Sequence, residues 1–239
     1  MTDRLEAIGE LLRRRRPAAG PLLVGVSGSV AVGKSTFARQ LASTLGRWPE
    51  RPTVEIVGAD GFLFANAVLE ARGLTFRKGC PETYDMAALR AALAAIRIGP
   101  ASFPGYSHVI YDVDQSLDRR LGPPGVLIIE GLALQDGAGA LGLDVLIYLD
   151  AEEADLEAWF TERFIALWRA AETDPTSFYV RFRHLDEDEA RGAAAYVWRE
   201  VNLPNLRQHI VTARSRADLL VRKGADHAIV EIMQPPTRL

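Results

Sequence analysis

Leu22-Leu23-Val24-Gly25-Val26-Ser27 runs directly into Gly28-Ser29-Val30-Ala31-Val32-Gly33-Lys34-Ser35-Thr36, and this stretch decides the fold. The apolar run is short enough for a buried strand. Gly-x-x-x-x-Gly-Lys-Ser follows, and Phe37-Ala38-Arg39-Gln40-Leu41 then reads as a helix. Strand, glycine loop and helix in that order form a phosphate-binding loop. Gly28 and Gly33 permit backbone angles and close approaches that a side chain would block, so successive N–H groups converge on phosphate oxygens. The positive end of the helix points at the same place. In that setting Lys34 reaches the β- and γ-phosphates and Ser35 ligates Mg²⁺. An accidental glycine turn would match the four fixed positions in roughly one chain in a hundred of this length, and the flanking strand and helix lower that further.

The 239 residues suffice for one large α/β domain, so residues 1–239 are expected to form a single domain that opens with a short helix within 1–17. A net charge of −3 gives no reason to expect nucleic-acid binding, which usually leaves a basic footprint. The single cysteine, Cys80, rules out an intrachain disulfide and a cysteine-cluster metal site, and it fits a reducing compartment. No apolar stretch approaches the roughly 20 residues that span a bilayer, and the N-terminus lacks a signal-peptide core. These features predict a soluble cytoplasmic protein with no membrane partner.

Residues 3–16 carry Leu5, Ile8, Leu11 and Leu12 on one helical side before Pro17, with Arg13 to Arg16 at the helix end as a solvated run or else an anion-binding group. Thr53 to Phe62 contains a strand with Asp60 just past its end. In a doubly wound sheet the carboxyl ends of the strands form the ligand crevice, so Asp60 shares an edge with the phosphate loop. There it either accepts the proton of an attacking hydroxyl or holds the metal's water shell, and a turn or N-cap aspartate is the plainer alternative. Residues 63–85 read as irregular. Arg72, Arg77 and Lys78 keep that loop soluble, or else flank an acceptor. Asp85 caps a helix through Ile96. Tyr106, His108 and Tyr111 fall close together in an extended segment, as structural hydrogen-bonders or as a small polar pocket.

Gly125 to Glu130 is nearly all apolar, as a central parallel strand should be, and Glu130 ends it where an acidic residue helps hold Mg²⁺, a strand-end acid paired with Arg or Lys being the plainer alternative. Asp144 to Asp150 is a further strand before a helix over about 151–171. On that helix Trp159, Phe160, Arg163, Phe164 and Leu167 share a face; core packing is the default for the aromatics, while a guanidinium there wants a buried anionic partner. Residues 173–190 look like a mobile lid or connector. Two late strands flank Lys223 to His227. The strand and helix alternation argues a mainly parallel sheet with helices on both faces.

The glycine loop, Asp60-Gly61-Phe62, Pro81-Glu82-Thr83-Tyr84-Asp85-Met86, Tyr106-Ser107-His108-Val109-Ile110-Tyr111-Asp112-Val113 and Glu130-Gly131-Leu132 together resemble the bacterial type I pantothenate kinases of the phosphoribulokinase and uridine kinase superfamily. The likeness continues through Thr173-Asp174-Pro175, Glu200-Val201-Asn202 and Ala225 to Ala228. It implies a doubly wound P-loop NTPase fold with a helical lid, and an ATP- and Mg²⁺-dependent kinase acting on the primary hydroxyl of pantothenate in coenzyme A biosynthesis. It would make Asp60 the base and Lys34 and Arg163 the catalytic cations. Tyr106, His108, Tyr111 and Asn202 would bind the acceptor, with Phe160 where the family has a tyrosine. His227 would stack on adenine, and Arg39 matches a position that binds coenzyme A as feedback inhibitor. A homodimer is expected.

The sequence departs from the family in its short segment before the first strand, and at Phe160, Leu167 and Glu172, where the family has one tyrosine and two phenylalanines in an aromatic pocket. A lost phenol and an added carboxylate would change acceptor affinity more than phosphoryl chemistry. A nucleoside or sugar kinase of the same superfamily is therefore the alternative, and a nucleotide-binding regulatory protein without transfer activity is the second.

Overall fold

A computed structural model describes residues 2–235; Met1 and residues 236–239, which the single-domain expectation includes, lie outside the described residues. The centre of the sheet is built from the segments whose apolar runs leave no polar face. Strand β1 (Leu22–Gly28) is buried along its whole length, so both faces of the sheet are covered there. The others in sequence are β2 (Val54–Gly58), the short strands β3 (Ala101–Phe103), β4 (Tyr106–Ser107), β5 (Asp112–Val113) and β6 (Arg119–Leu121), then β7 (Val126–Glu130), β8 (Val145–Asp150), β9 (Leu219–Lys223) and β10 (Ile229–Met233). Six of them form the main sheet in the order β10-β9-β8-β1-β7-β2. All its pairings are parallel except β9 with β10.

The helices are α1 (Thr2–Arg13), α2 (Lys34–Leu45), α3 (Asn66–Ala71), α4 (Met86–Ile96), α5 (Ala138–Leu141), α6 (Glu153–Ala170), α7 (Glu187–Val197), α8 (Leu203–Asn205) and α9 (Val211–Arg214). Helix α1 buries Leu5, Ile8 and Leu12, with Leu11 partly covered, and Gly9 lets it approach Thr44 and Leu45 of α2. Asp85 caps α4 by accepting from the Ala88 amide. Pro204 lies in a stretch that stays helical. A proline removes one amide donor and clashes with the carbonyl four residues back; the chain absorbs this in π-helical turns on either side, Trp198–Asn202 and Leu206–Ile210.

Residues 63–85, read from sequence as irregular, instead contain α3 and two 3₁₀ turns, Thr75–Arg77 and Pro81–Thr83. Residues 173–190 hold a 3₁₀ turn, Phe178–Phe182, and the start of α7. Helices α6 and α7 enclose a small separate cluster in which Phe164, Ile165, Trp168, Ala190 and Ala194 are buried, with Tyr179 and Phe182 against them. No described helix is long and apolar enough to cross a membrane.

Candidate active site

The glycine loop leaves β1 and enters α2 at Gly33, whose φ of 87° lies in the left-handed region that an L side chain resists. No side chain caps α2, so its first amides stay open toward the loop. Two lysines brace the loop. Lys34 Nζ donates to the carbonyls of Gly28 (3.2 Å) and Ser29 (2.8 Å). Lys223, buried at the end of β9, donates to the Val32 carbonyl at 2.9 Å. Ser27 and Ser29 have buried hydroxyls without a partner among the described residues.

Parallel pairing of β2 with β7 aligns Gly58 with Glu130, which carries Asp60 to the same sheet edge. Ser35 Oγ donates to Glu130 Oε1 at 2.7 Å. A hydroxyl and a carboxylate converging at an open helix N-terminus are the hard oxygen donors that Mg²⁺ takes, so these residues fit that ion. Burial holds the Glu130 carboxyl above its ordinary range, and Asp60 adds to this, against the pull of Lys34 and Arg163. Burial also lowers Lys34, while Glu130 and Asp60 oppose the shift. Two cations and two carboxylates thus share one field: Lys34 and Arg163, Glu130 and Asp60. Tyr84, buried, donates to Asp60 Oδ1 at 3.1 Å and fixes the carboxylate.

Opposite the loop stands a hairpin of β4 and β5. Gly61 lets it close on Asp60, since a Cβ there would lie 1.8 Å from the Pro104 carbonyl oxygen. Tyr106 meets the rings of His108 and Tyr111 edge-on, at 5.1 and 6.3 Å between centroids. Lys78 Nζ is bound by Asn66 Oδ1 (2.5 Å) and the Tyr111 carbonyl (2.6 Å), and it sits over the Tyr111 and Tyr106 rings. Burial brings its pKa down to about 8, against the pull of Asp112 and Asp60. Burial raises Tyr106, and Tyr111 to about 12, so both phenols stay protonated donors at neutral pH. The walls around His108 restrict its hydration and hold its imidazolium below the ordinary range. The α6–α7 side closes the space: the Phe178 amide donates to the Val109 carbonyl at 2.8 Å, and Phe178 packs on Tyr111. Phe160 lies against Trp198, and the Asn202 Nδ2 is buried with no partner among the described residues.

At the far end His227, with φ 63°, stacks on Trp159 at 3.9 Å and 23°. Trp159 Nε1 donates to the Ala225 carbonyl at 3.2 Å, which fixes that ring.

No family model matches the chain. The pantothenate kinase of Leifsonia xyli subsp. xyli is 45% identical over 227 residues, covering 91% of this chain and 70% of that protein. The chain belongs to the pantothenate kinase family. Like that family it is an ATP-dependent kinase with a hydroxyl acceptor. A solved structure described as a fructose transport system kinase, from Silicibacter sp. TM1040, superposes with a TM-score of 0.70 at 28% identity, covering 89% of this chain and 95% of that one. One described as a uridine kinase, from Bacillus stearothermophilus, shares the fold at TM-score 0.53 and 22% identity, over 73% of this chain and 93% of that one.

Within this pantothenate kinase fold Asp60, Lys34, Ser35, Glu130, Tyr106, His108 and Tyr111 gather about one cleft. Arg163 lacks the buried anionic partner expected of it. It is exposed and makes no ion pair among the described residues, while Phe160 and Phe164 on the same face pack inward, and its charge acts on Lys34, Glu130 and His108. Glu172 also departs from expectation: it lies at the surface, 3.5 Å from the Arg183 guanidinium, and so puts no carboxylate into the aromatic pocket. His227 already has Trp159 on one face, which leaves only the other for a base. Two residues given no role from sequence stand in the site, Tyr84 and Lys223, and Lys78, one of three cations read as keeping their loop soluble or flanking an acceptor, is the one that turns inward. Lys223 could have been found, because a lysine closing a sheet strand on the ligand edge is placed like Asp60.

Proposed function

We propose that this protein transfers the γ-phosphoryl group of ATP to the primary hydroxyl of pantothenate. Membership of the pantothenate kinase family across 91% of the chain carries the reading. In it, Asp60, fixed by Tyr84, accepts the hydroxyl proton. Lys34 and Arg163 neutralise charge on the transferring group, and the amides from Gly28 through Val30, Ala31, Val32 and Gly33 to Thr36 hold the phosphates. Ser35 and Glu130 would hold Mg²⁺, which when bound neutralises the phosphate oxygens. Tyr106, His108, Tyr111 and the orphaned Asn202 amide hydrogen-bond the acceptor's hydroxyls and amide, with Phe160 as an apolar wall. Lys78, cationic at neutral pH, suits the acceptor's carboxylate. The open face of His227 takes the adenine.

A second reading, a sugar acceptor, is supported by the 28% identical structure described as a fructose transport system kinase and by the missing phenol at Phe160. Incubating the purified protein with ATP and Mg²⁺ and, in turn, pantothenate, fructose and uridine, with product masses read directly, tests the choice. A phosphorylated product from pantothenate alone is expected. Phosphorylation of fructose or uridine with pantothenate untouched overturns the proposal in favour of the alternative. ATP bound with no product from any acceptor indicates a regulatory nucleotide-binding protein. The reading extends, on the resemblance alone, to a cytoplasmic homodimer inhibited by coenzyme A through Arg39.

A further inference from the structure

Away from the catalytic cleft, the loop after the first 3₁₀ turn and the π-helical turn Leu206–Ile210 bring three donors together. Cys80 Sγ, a Glu82 carboxylate oxygen and a His209 ring nitrogen all lie within 4.8 Å of one another. Cys80 is buried, and the His209 Nε2 is buried with no hydrogen-bond partner among the described residues. A buried ring nitrogen without a partner is costly, and a ligand at that point would remove the cost. The two sides are also held in register without any metal. Asn205 Nδ2, one turn before His209, donates to the Gly79 carbonyl at 3.0 Å. Thr83 Oγ1 accepts from the Gly79 amide and donates to the Cys80 carbonyl at 2.7 Å, so the 79–83 loop is a closed unit.

We propose that Cys80, Glu82 and His209 bind a zinc ion that clamps the 79–83 loop to the helix carrying His209. Thiolate, imidazole and carboxylate form the mixed S/N/O set that zinc takes in tetrahedral sites, with one position left for water. Mg²⁺ and Ca²⁺ are excluded by the sulfur and nitrogen donors. Metal–ligand lengths of about 2.0–2.3 Å put tetrahedral donors closer together than the present spread, so the set must contract. Glu82 is the member free to move, being at the surface and held by Arg77 at Oε1, which leaves Oε2 for the ion. On binding, the Cys80 thiol passes its proton to solvent and the sulfur forms the metal bond. The clamp reaches the cleft on both sides of the loop: Lys78, two residues before Cys80, sits on Tyr111, and Tyr84, next after Thr83, holds Asp60.

The full chain, stripped of metal with a chelator, is titrated with Co²⁺ and then Zn²⁺. One equivalent of Co²⁺ is expected, with an intense near-ultraviolet thiolate-to-cobalt band that Zn²⁺ abolishes, and Zn²⁺ should raise Tm. Cys80→Ser should lose the band, and His209→Gln should lose most of the affinity and the Tm rise. His184→Ala, which changes an exposed histidine, should keep both. Far-ultraviolet circular dichroism and MgATP binding report whether each variant is folded, and either ligand variant alone suffices. Absence of a thiolate band in the wild type, or undiminished zinc binding in a folded His209→Gln, overturns the site.

Discussion

Replacing Lys223 by methionine separates what holds the fold from what shapes the nucleotide loop. The ammonium is buried and donates to the Val32 carbonyl at 2.9 Å, and a Cβ at Gly33 would come within 2.8 Å of it. Burial lowers the pKa of Lys223, so the charge is held at a cost. Methionine fills a similar volume without that cost, a gain that can reach about 1–4 kcal/mol when a buried charge is replaced by packed apolar atoms. Against it stands the orphaned Val32 carbonyl, at about 1–3 kcal/mol. The two nearly cancel, so Tm should move little. The lost charge-assisted bond, about 1.5–3 kcal/mol, falls instead on the loop, because it ties the Val32 carbonyl to the end of β9. If nucleotide binding must rebuild that geometry, MgATP affinity drops by about 10- to 150-fold. Calorimetric titration with MgATP and a thermal melt of the same variant read the two effects separately. Unchanged MgATP affinity, or a stability loss of that size with affinity preserved, would refute the reasoning.

Glu130 has its carboxyl raised by burial, so it takes up a proton at higher pH than an exposed glutamate. Mg²⁺ affinity should therefore fall as pH drops through that range, and Glu130→Gln should weaken Mg²⁺ and flatten the profile in a metal titration. Lys78 titrates near 8, so binding of a carboxylate-bearing acceptor should weaken as pH rises above that value. Lys78→Met should raise KM for pantothenate at pH 7 and remove the pH dependence, with KM for ATP unchanged. Phe160→Tyr restores a phenol beside Trp198. A new hydrogen bond of about 0.5–1.5 kcal/mol should lower the pantothenate KM by several-fold without altering stability.

The loop and both strand-end carboxylates were legible because their cues are local. Gly28 to Thr36 is contiguous, and Asp60 and Glu130 follow short apolar runs whose parallel pairing is itself written in the composition of β1 and β7. Side-chain direction was less legible. Lys78 sits among Arg72 and Arg77 with nothing to mark it as the cation that turns inward, because its partners Asn66 and Tyr111 come from separate segments. Arg163 shares a helical face with Trp159 and Phe160, yet the aromatics pack inward while the guanidinium stays exposed. Periodicity reports a shared face and is silent on what the face meets. Glu172 and Arg183 pair across a connector whose path is set by long-range contacts, among them the Trp168 indole donating to the Phe182 carbonyl and the packing of Phe182 on Phe164.

The account rests on Asp60 as the group that takes the acceptor's proton while the loop holds the nucleotide. Asp60→Asn keeps the shape and the Tyr84 contact and removes the base. Measured side by side, MgATP binding should stay within a few-fold of wild type while pantothenate phosphorylation falls by at least about 10²-fold, the lower end for a lost general base. Phosphorylation at near wild-type rate in this variant would contradict it.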